Sequence, residues 1–391
     1  MNRAILNTEV QNFISKNLNE KLDKLVFKKS PFREVSMTEI VQQIEGKLKA
    51  KYKLHTWFNT KNIYYPPKIN IEQTSSEVTA NYKSELVKGK TLADLTGGFG
   101  VDSYFFSKNF EDVTHVEINK SLSEIAAHNF SQLNANIKSI NEDGIEAIKN
   151  QYFDCIYIDP SRRHDNKGKV FLLSDCEPDV VKNLEYLLNR CEILLIKTSP
   201  MLDINAGLNE LNFVAEIHIV AVENEVKELL WLLKKDNSKP HLVKTINFTK
   251  HKIEKFETNF RASDNIEYSI PKKYLYEPNA AIMKSGMFQA ISENYQVQKI
   301  AVNTHLFTSD APIEFPGRRF EIQRILPYKK AELKKNISAI KANITTRNFP
   351  ESVDALKSRW KITDGGDNYL FFTTDNDKKK VILFCRKIKV S

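Results

Sequence analysis

Only four cysteines occur in 391 residues, at positions 155, 176, 191 and 385, and no two form a CxxC pair. That spacing excludes a disulfide framework and a cysteine-held zinc site, and it fits a reducing cytoplasm. The eight histidines form no HxxxH or HExxH pair, so no metal site is expected. No run of 18 apolar residues exists, and the opening MNRAILNTEVQNFISKNLNEKLDKLV is amphipathic and carries acids. Neither a membrane span nor a signal peptide is expected.

What is present points to packed globular domains. Apolar residues make up 41% of the chain, with 23 Phe and 14 Tyr, and the length calls for two to four domains. The formal charge of +9 is unevenly spread: +5 over residues 1–80, −7 over 81–240 and +11 over 241–391. Basic flanks around an acidic middle suit a polyanion held by the flanks, and the competing reading is lysine kept for solubility.

Helical periodicity runs through the first 60 or so residues (Val10, Phe13, Ile14, Leu18, then Ile40, Val41, Ile44, Leu48), and Pro66-Pro67 mark a linker. Ser75 or Ser76 is placed to cap a helix ending at Leu86. From Thr91 to about Leu233 strand and helix alternate: TLADL, VTHVEI, IKSI, FDCIYI, EILLIK, FVAEIHIVAV and VKELLWLL are the strands. Helices are expected near 102–108, 121–134, 144–150 and 178–189. This is a doubly wound α/β pattern. Only Glu223-Asn224-Glu225 joins the last two strands, too few residues for a crossover helix, so they must form an antiparallel hairpin. Beyond Lys239 shorter strands lead to a second mixed unit from about 295, with DNDKKK (375–380) as a solvated hairpin tip.

Chemistry gathers where the strands end. Asp94 closes the first strand and Gly97, Gly98 and Gly100 make the next turn, where backbone passes close to a ligand or takes positive φ. Tight packing alone is the bland alternative. A dinucleotide fingerprint would need a third glycine after Gly98-Phe99-Gly100, and Val101, Asp102 and Ser103 stand there instead. Glu117 ends the second strand, placed to accept the two ribose hydroxyls of an adenosine, and Asp143 ends the third, placed for an adenine amino group. The fourth closes as FDCIYIDPSRR. Proline removes a donor and stiffens the turn. Asp159 and the carbonyl near Pro160 are then bare acceptors, suited to gripping an exocyclic amine and aligning its lone pair with an electrophilic methyl group. Ser161, Arg162 and Arg163 follow on the substrate side, with the arginines suited to phosphates or stacked bases.

DLTGGFGVD, HVEIN and YIDPSRR resemble motifs of class I S-adenosylmethionine-dependent methyltransferases, whose seventh strand is antiparallel. EQTSSEVTANYK, IKTSPMLDI, YLYEPNAAIMKSG, NTHLFTSD, EFPGRRF and ITTRNFP are similar to strings in a bacterial group of these enzymes with a THUMP-like C-terminal domain. The resemblance spans nearly the whole chain. It implies a Rossmann-like seven-stranded sheet with an N-terminal helical domain (1–70), the methyltransferase domain (71–238), a small ferredoxin-like α+β domain (239–292) and a THUMP-like domain (293–391). It implies S-adenosylmethionine as cofactor, with Asp94, Gly97, Gly98, Phe99, Gly100 and Asp102 about the methionine end, Glu117 and Asn119 at the ribose, and Asp143 and Gly144 at the adenine. Ser75, Ser76 and Thr79 match an upstream motif that closes over the cofactor. Ser161 and Arg162 stand where amino-directed members carry proline and an aromatic, which leaves the target atom open.

RNA is the implied partner, held by Ser161, Arg162, Arg163, Lys197, Arg318, Arg319, Lys341 and Arg347, with a tRNA or rRNA base nitrogen as target. Such a base must be flipped out or single-stranded. Two other readings stay open. Lys83, Asp159, Lys197 and Glu223 or Glu225 match in type the set that ribose 2′-hydroxyl methyltransferases use. The second is an RNA-binding protein on a methyltransferase scaffold without turnover. Carbon methylation of a pyrimidine needs a thiolate beside the site, and neither Cys155 nor Cys176 follows the proline.

Overall fold

The computed structural model describes residues 1–162, 172–235, 241–260 and 266–388, so Arg163 lies outside the described residues. The chain divides into two units, Met1–Ala215 with Leu229–Lys239, and Glu216–Glu228 with Pro240–Ser391. The boundary falls inside one hairpin.

In the first unit the amphipathic N-terminus folds as helices, the longest being Met37–Lys53. Ser36 and Glu39 cap each other at its start, satisfying two backbone donors that a helix end leaves open. Ile40 and Ile44, one turn apart, are buried against Trp57, Tyr65 and Ile71. This core runs without a break into Phe99, Val101, Phe105 and Ile125. Pro66-Pro67 introduce a short helix, Lys68–Gln73, where the composition suggested only a linker. The Tyr64 N–H donates to Asn129 Oδ1 at 2.9 Å and its carbonyl accepts from Asn129 Nδ2 at 3.0 Å. Ser76 caps Glu77–Leu86 as its position implied.

Seven strands follow: β1 (Thr91–Asp94), β2 (Asp112–Val116), β3 (Ile137–Ile140), β4 (Phe153–Ile158), β5 (Cys191–Thr198), β6 (Val214–Val222) and β7 (Glu225–Leu233). Their order is β3-β2-β1-β4-β5-β7-β6. β1 pairs in parallel with β2 and β4, and β4 with β5. β7 runs antiparallel to β5 through Leu229–Leu233. Glu223 and Asn224 turn the hairpin with φ of 49° and 63°, the primed turn whose twist matches two-residue hairpins. The expected class I methyltransferase sheet is therefore present. Between β1 and β4 the winding reverses, which opens a crevice at their carboxyl ends.

The second unit continues from β6 with β8 (Leu242–Phe248), parallel to it, and β9 (Ile253–Asn259). A separate sheet holds β10 (Tyr274–Pro278), β11 (Phe307–Ser309), β12 (Gly317–Pro327), β13 (Asn343–Arg347), β14 (Asn368–Thr374) and β15 (Lys380–Lys387). A short strand, Gln298–Lys299, edges it beside β11. One core lies around Leu275, Phe320 and Phe371, and another around Leu333, Leu356 and Phe372. Among the described residues no helix is long and apolar enough to cross a membrane.

Candidate functional site

The three glycines of the turn after β1 do different work. A Cβ on Gly97 would meet the His115 ring at 2.2 Å, and one on Gly100 (φ +84°) would meet Phe130 at 2.4 Å. Both serve packing. At Gly98 (φ +55°) the nearest atom to such a Cβ is 3.8 Å away, so this residue alone turns an open face outward. Its N–H donates to Glu117 Oε2 at 2.8 Å, and Asn119 N–H donates to Oε1 at 2.8 Å. Each carboxylate oxygen has a second lone pair, so Glu117 is held in place and still able to accept. His115 is buried beneath the turn, and burial pushes its pKa down to about 4, so the ring is neutral.

Asp143 caps the helix Gly144–Ala147 with one oxygen, and Asn119 caps Lys120–Gln132. A Cβ at Gly144 would strike the Leu95 carbonyl at 2.4 Å, so this glycine too is required by packing. The Phe99 ring is 2% exposed and packs toward Trp57 in the shared core, which leaves its backbone on the loop. Thr79 donates to the Ser76 carbonyl inside the helix cap.

Behind the crevice lies a buried ionic network. Lys83 is fully buried, with Nζ 3.2 Å from Asp102 Oδ1 and 3.0 Å from Ser75 Oγ. Asp102 also accepts from Ser75 Oγ at 2.8 Å and from the Tyr157 hydroxyl at 3.0 Å. Burial raises the Asp102 pKa, but Lys83, Lys197 and the Ser75 hydroxyl outweigh it and hold it below the usual carboxylate range. Asp94 sits alongside, accepting from Ser103 Oγ at 2.6 Å and Thr96 N–H at 3.1 Å. Burial pushes its pKa up to about 7, with the charges of Asp102 and Asp159 adding to the rise.

Asp159 follows β4. Its N–H donates to Thr96 Oγ1 at 2.7 Å, which ties the end of β4 to the loop after β1, and its Oδ2 pairs with Lys197 of β5. The Asp159 side chain is 35% exposed, whereas Pro160 is buried. Ser161 and Arg162 pair with Glu177 and Cys176 as a two-residue ladder. Lys83 pairs with Asp102 and Lys197 with Asp159, while Glu225 pairs with Lys227. Of the four-residue set for hydroxyl chemistry, Lys197 and Asp159 form an ion pair. All four thiols are buried, with that of Cys176 pushed up to about 11 and that of Cys191 up to about 12, chiefly by burial. Such thiols make poor nucleophiles.

Sequence reasoning missed Thr96, Ser103 and Tyr157. The one signal for Tyr157 was a hydroxyl-bearing ring two residues before Asp159 in an otherwise apolar run. In the second unit Arg319 is 7% exposed and paired with Glu314, which removes it from the group expected to hold RNA. Arg318 and Arg347 both bind the buried Glu277, and Lys341 is exposed. Among the described residues no cluster of His, Cys, Asp or Glu could hold a metal ion.

A seven-stranded sheet with acids at successive strand tips defines a class I methyltransferase scaffold. A ferredoxin-like domain model matches residues 274–316 and a THUMP domain-like model matches 317–387. No curated protein matches the chain. A solved structure from Porphyromonas gingivalis W83, a "putative methyltransferase", covers 99% of this chain and 99% of its own at a TM-score of 0.90 and 31% identity. The chain belongs to that family, the class I S-adenosylmethionine-dependent methyltransferases with a THUMP-like C-terminal domain. Partial likenesses include the Pyrococcus abyssi tRNA (uracil-54, C5)-methyltransferase in complex with S-adenosyl-L-homocysteine, at 19% identity, 41% of this chain, 39% of that one and a TM-score of 0.31. Another is a "putative RNA methyltransferase" from Pyrococcus horikoshii, at 16%, 49%, 98% and 0.35. At such TM-scores these carry no argument for this chain.

Proposed function

We propose that this protein methylates an exocyclic base nitrogen of a structured RNA, a tRNA or rRNA, from S-adenosylmethionine. The observation that carries the reading is the half-exposed Asp159 at the switch point, one oxygen held by Lys197 and the other left to accept.

The residues present fit the cofactor. Gly98 offers open backbone, Glu117 is fixed with acceptor capacity to spare, and Asp143 keeps one oxygen outside its cap. When bound, S-adenosylmethionine supplies an electrophilic methyl group. Asp159 Oδ1 and the Pro160 carbonyl accept the two amine N–H groups and so aim the nitrogen lone pair. Lys197 fixes the carboxylate by its other oxygen, and Asp159 can take the proton that the amine sheds. Ser161 and Arg162 stand next in the chain toward the substrate, with Arg163 beyond the described residues. The basic second unit supplies the polyanion contacts.

A ribose hydroxyl is the second reading, favoured by the Lys197–Asp159 ion pair and weakened by the commitment of Lys83 to Asp102. The test is tritiated-methyl transfer to total RNA from a deletion strain, followed by nucleoside mass spectrometry. Label on a base amine supports the first reading and label on ribose the second. Calorimetry that detects no S-adenosylmethionine binding would leave only a binding protein on this scaffold.

A further inference from the structure

Four of the strings that carry the family resemblance meet in the second unit, and the methyl-transfer site uses none of them. YLYEPN supplies Glu277, NTHLFTSD supplies Thr304 and His305, FPGRRF supplies Arg318, and ITTRNFP supplies Thr345 and Arg347. Glu277 on β10 lies directly opposite Arg318 on β12. Its side chain is 4% exposed, while those of Arg318 and Arg347 are 38% and 37% exposed. The acid is thus inside and both guanidinium groups reach the surface. Arg318 engages Oε2, and Arg347 Nη2 donates to Oε1 at 2.6 Å. Arg318 also donates to Thr345 Oγ1 at 3.4 Å.

Thr373, the register partner of Arg347, donates to Thr304 Oγ1 at 3.3 Å and brings His305 to the same place. The His305 ring stacks on Phe288 at 4.4 Å, and Lys299 Nζ lies 4.5 Å from that same Phe288 ring. Burial first, then the charges of Lys299 and Arg347, push the His305 pKa down to about 4. Two guanidinium groups therefore share one carboxylate. One arginine would satisfy Glu277, so the second leaves charge in excess. Among the described residues, the buried Arg347 Nε and His305 Nδ1 have no hydrogen-bond partner. Of these, the Arg347 Nε–H is a donor in any state, and a buried donor is costly to leave without a partner. The two non-bridging oxygens of a phosphodiester can accept side by side from a guanidinium fork.

We infer that the Arg318–Glu277–Arg347 cluster, with His305 beside it, is a seat for a phosphate of an RNA chain. Glu277 is the buried partner that holds both guanidinium groups, whose side chains are each more than a third exposed. The inference rests on the proposed RNA substrate, yet it is read by binding alone and not by methyl transfer.

The test is fluorescence anisotropy of a 20-nucleotide single-stranded RNA of mixed sequence with the full chain, without cofactor. Arg347→Met should weaken binding about tenfold and lower the salt slope by about one. Lys379→Met removes the same charge from an exposed hairpin tip and should change affinity less than about twofold. Inorganic phosphate should displace the RNA more strongly than chloride at equal ionic strength. Equal losses in the two variants, equal competition by chloride, or no binding by the unaltered chain at about 100 μM would overturn the seat. If Arg347→Met melts below the assay temperature, Arg347→Lys decides, since it keeps the charge and loses the fork. An unchanged affinity there also overturns the seat. Binding that is intact in a chain with no methyl transfer would sink the proposed function and leave the seat standing.

Discussion

At the carboxyl edge of the first sheet three aspartates lie close together, Asp102 paired with Lys83, Asp159 with Lys197, and Asp94 held by Ser103 and the Thr96 N–H. In the second unit two arginines, Arg318 and Arg347, hold one glutamate, Glu277. The two places are built with opposite surpluses. Acceptors are left over in the first, which suits a ligand rich in N–H and O–H groups, and donors are left over in the second, which suits phosphate. Ion pairs by themselves announce neither function. What matters is which partner is outnumbered and whether it reaches solvent.

The sharpest way to break this contrast is Asp159→Ala. Methyl transfer should fall by about a thousandfold or more, while S-adenosylmethionine affinity by calorimetry changes less than about threefold. Label that persists would move the chemistry elsewhere. Lys83→Met leaves Asp102 buried without its cation and should cost about 3–5 kcal/mol in urea denaturation. Adding Asp102→Asn should restore more than half of that loss; a full additive loss would deny the pairing.

Asp94 carries a pH signature of the same region. Its folded-state pKa of about 7 lies above the unfolded value, so the native chain holds that proton more tightly. Its contribution is complete below about pH 4 and is lost as pH rises through about 7, on the order of 4 kcal/mol. Denaturation across this range should show the decline in the unaltered chain and a flatter profile in Asp94→Asn. Gly98→Ala, with open space but positive φ, should cost about 1 kcal/mol in stability and weaken cofactor binding about tenfold. Smallest of all, Lys341→Met should shift RNA affinity by less than about twofold, because that lysine lies outside the Glu277 cluster.

Much of the fold was legible because it rests on local rules. Alternating apolar runs located all seven strands, and the short Glu223–Glu225 connection forced the hairpin. Strand-tip acids were legible for the same reason, since a strand end is readable from sequence. Partner choice was not. Lys83 and Asp102 are 19 positions apart, and nothing in either residue announces the other. Arg318 and Arg319 were read as a pair, yet neighbours on a strand face opposite sides, so one reaches Glu277 and the other is buried against Glu314. Period two alone would have separated them. The direction of the Phe99 ring, into the core beside Trp57, was not legible either, because the turn that sets it depends on the φ of Gly98 and Gly100.

That ring has a further meaning. Phe99 is wedged among side chains from the first seventy residues, Trp57 above all, which contribute no chemistry of their own. A chain trimmed to begin at β1 would retain every strand-tip acid and lose the wall against which the glycine loop is moulded. The helical region thus shapes the glycine loop from behind, through a packed core and not through any group at the strand tips.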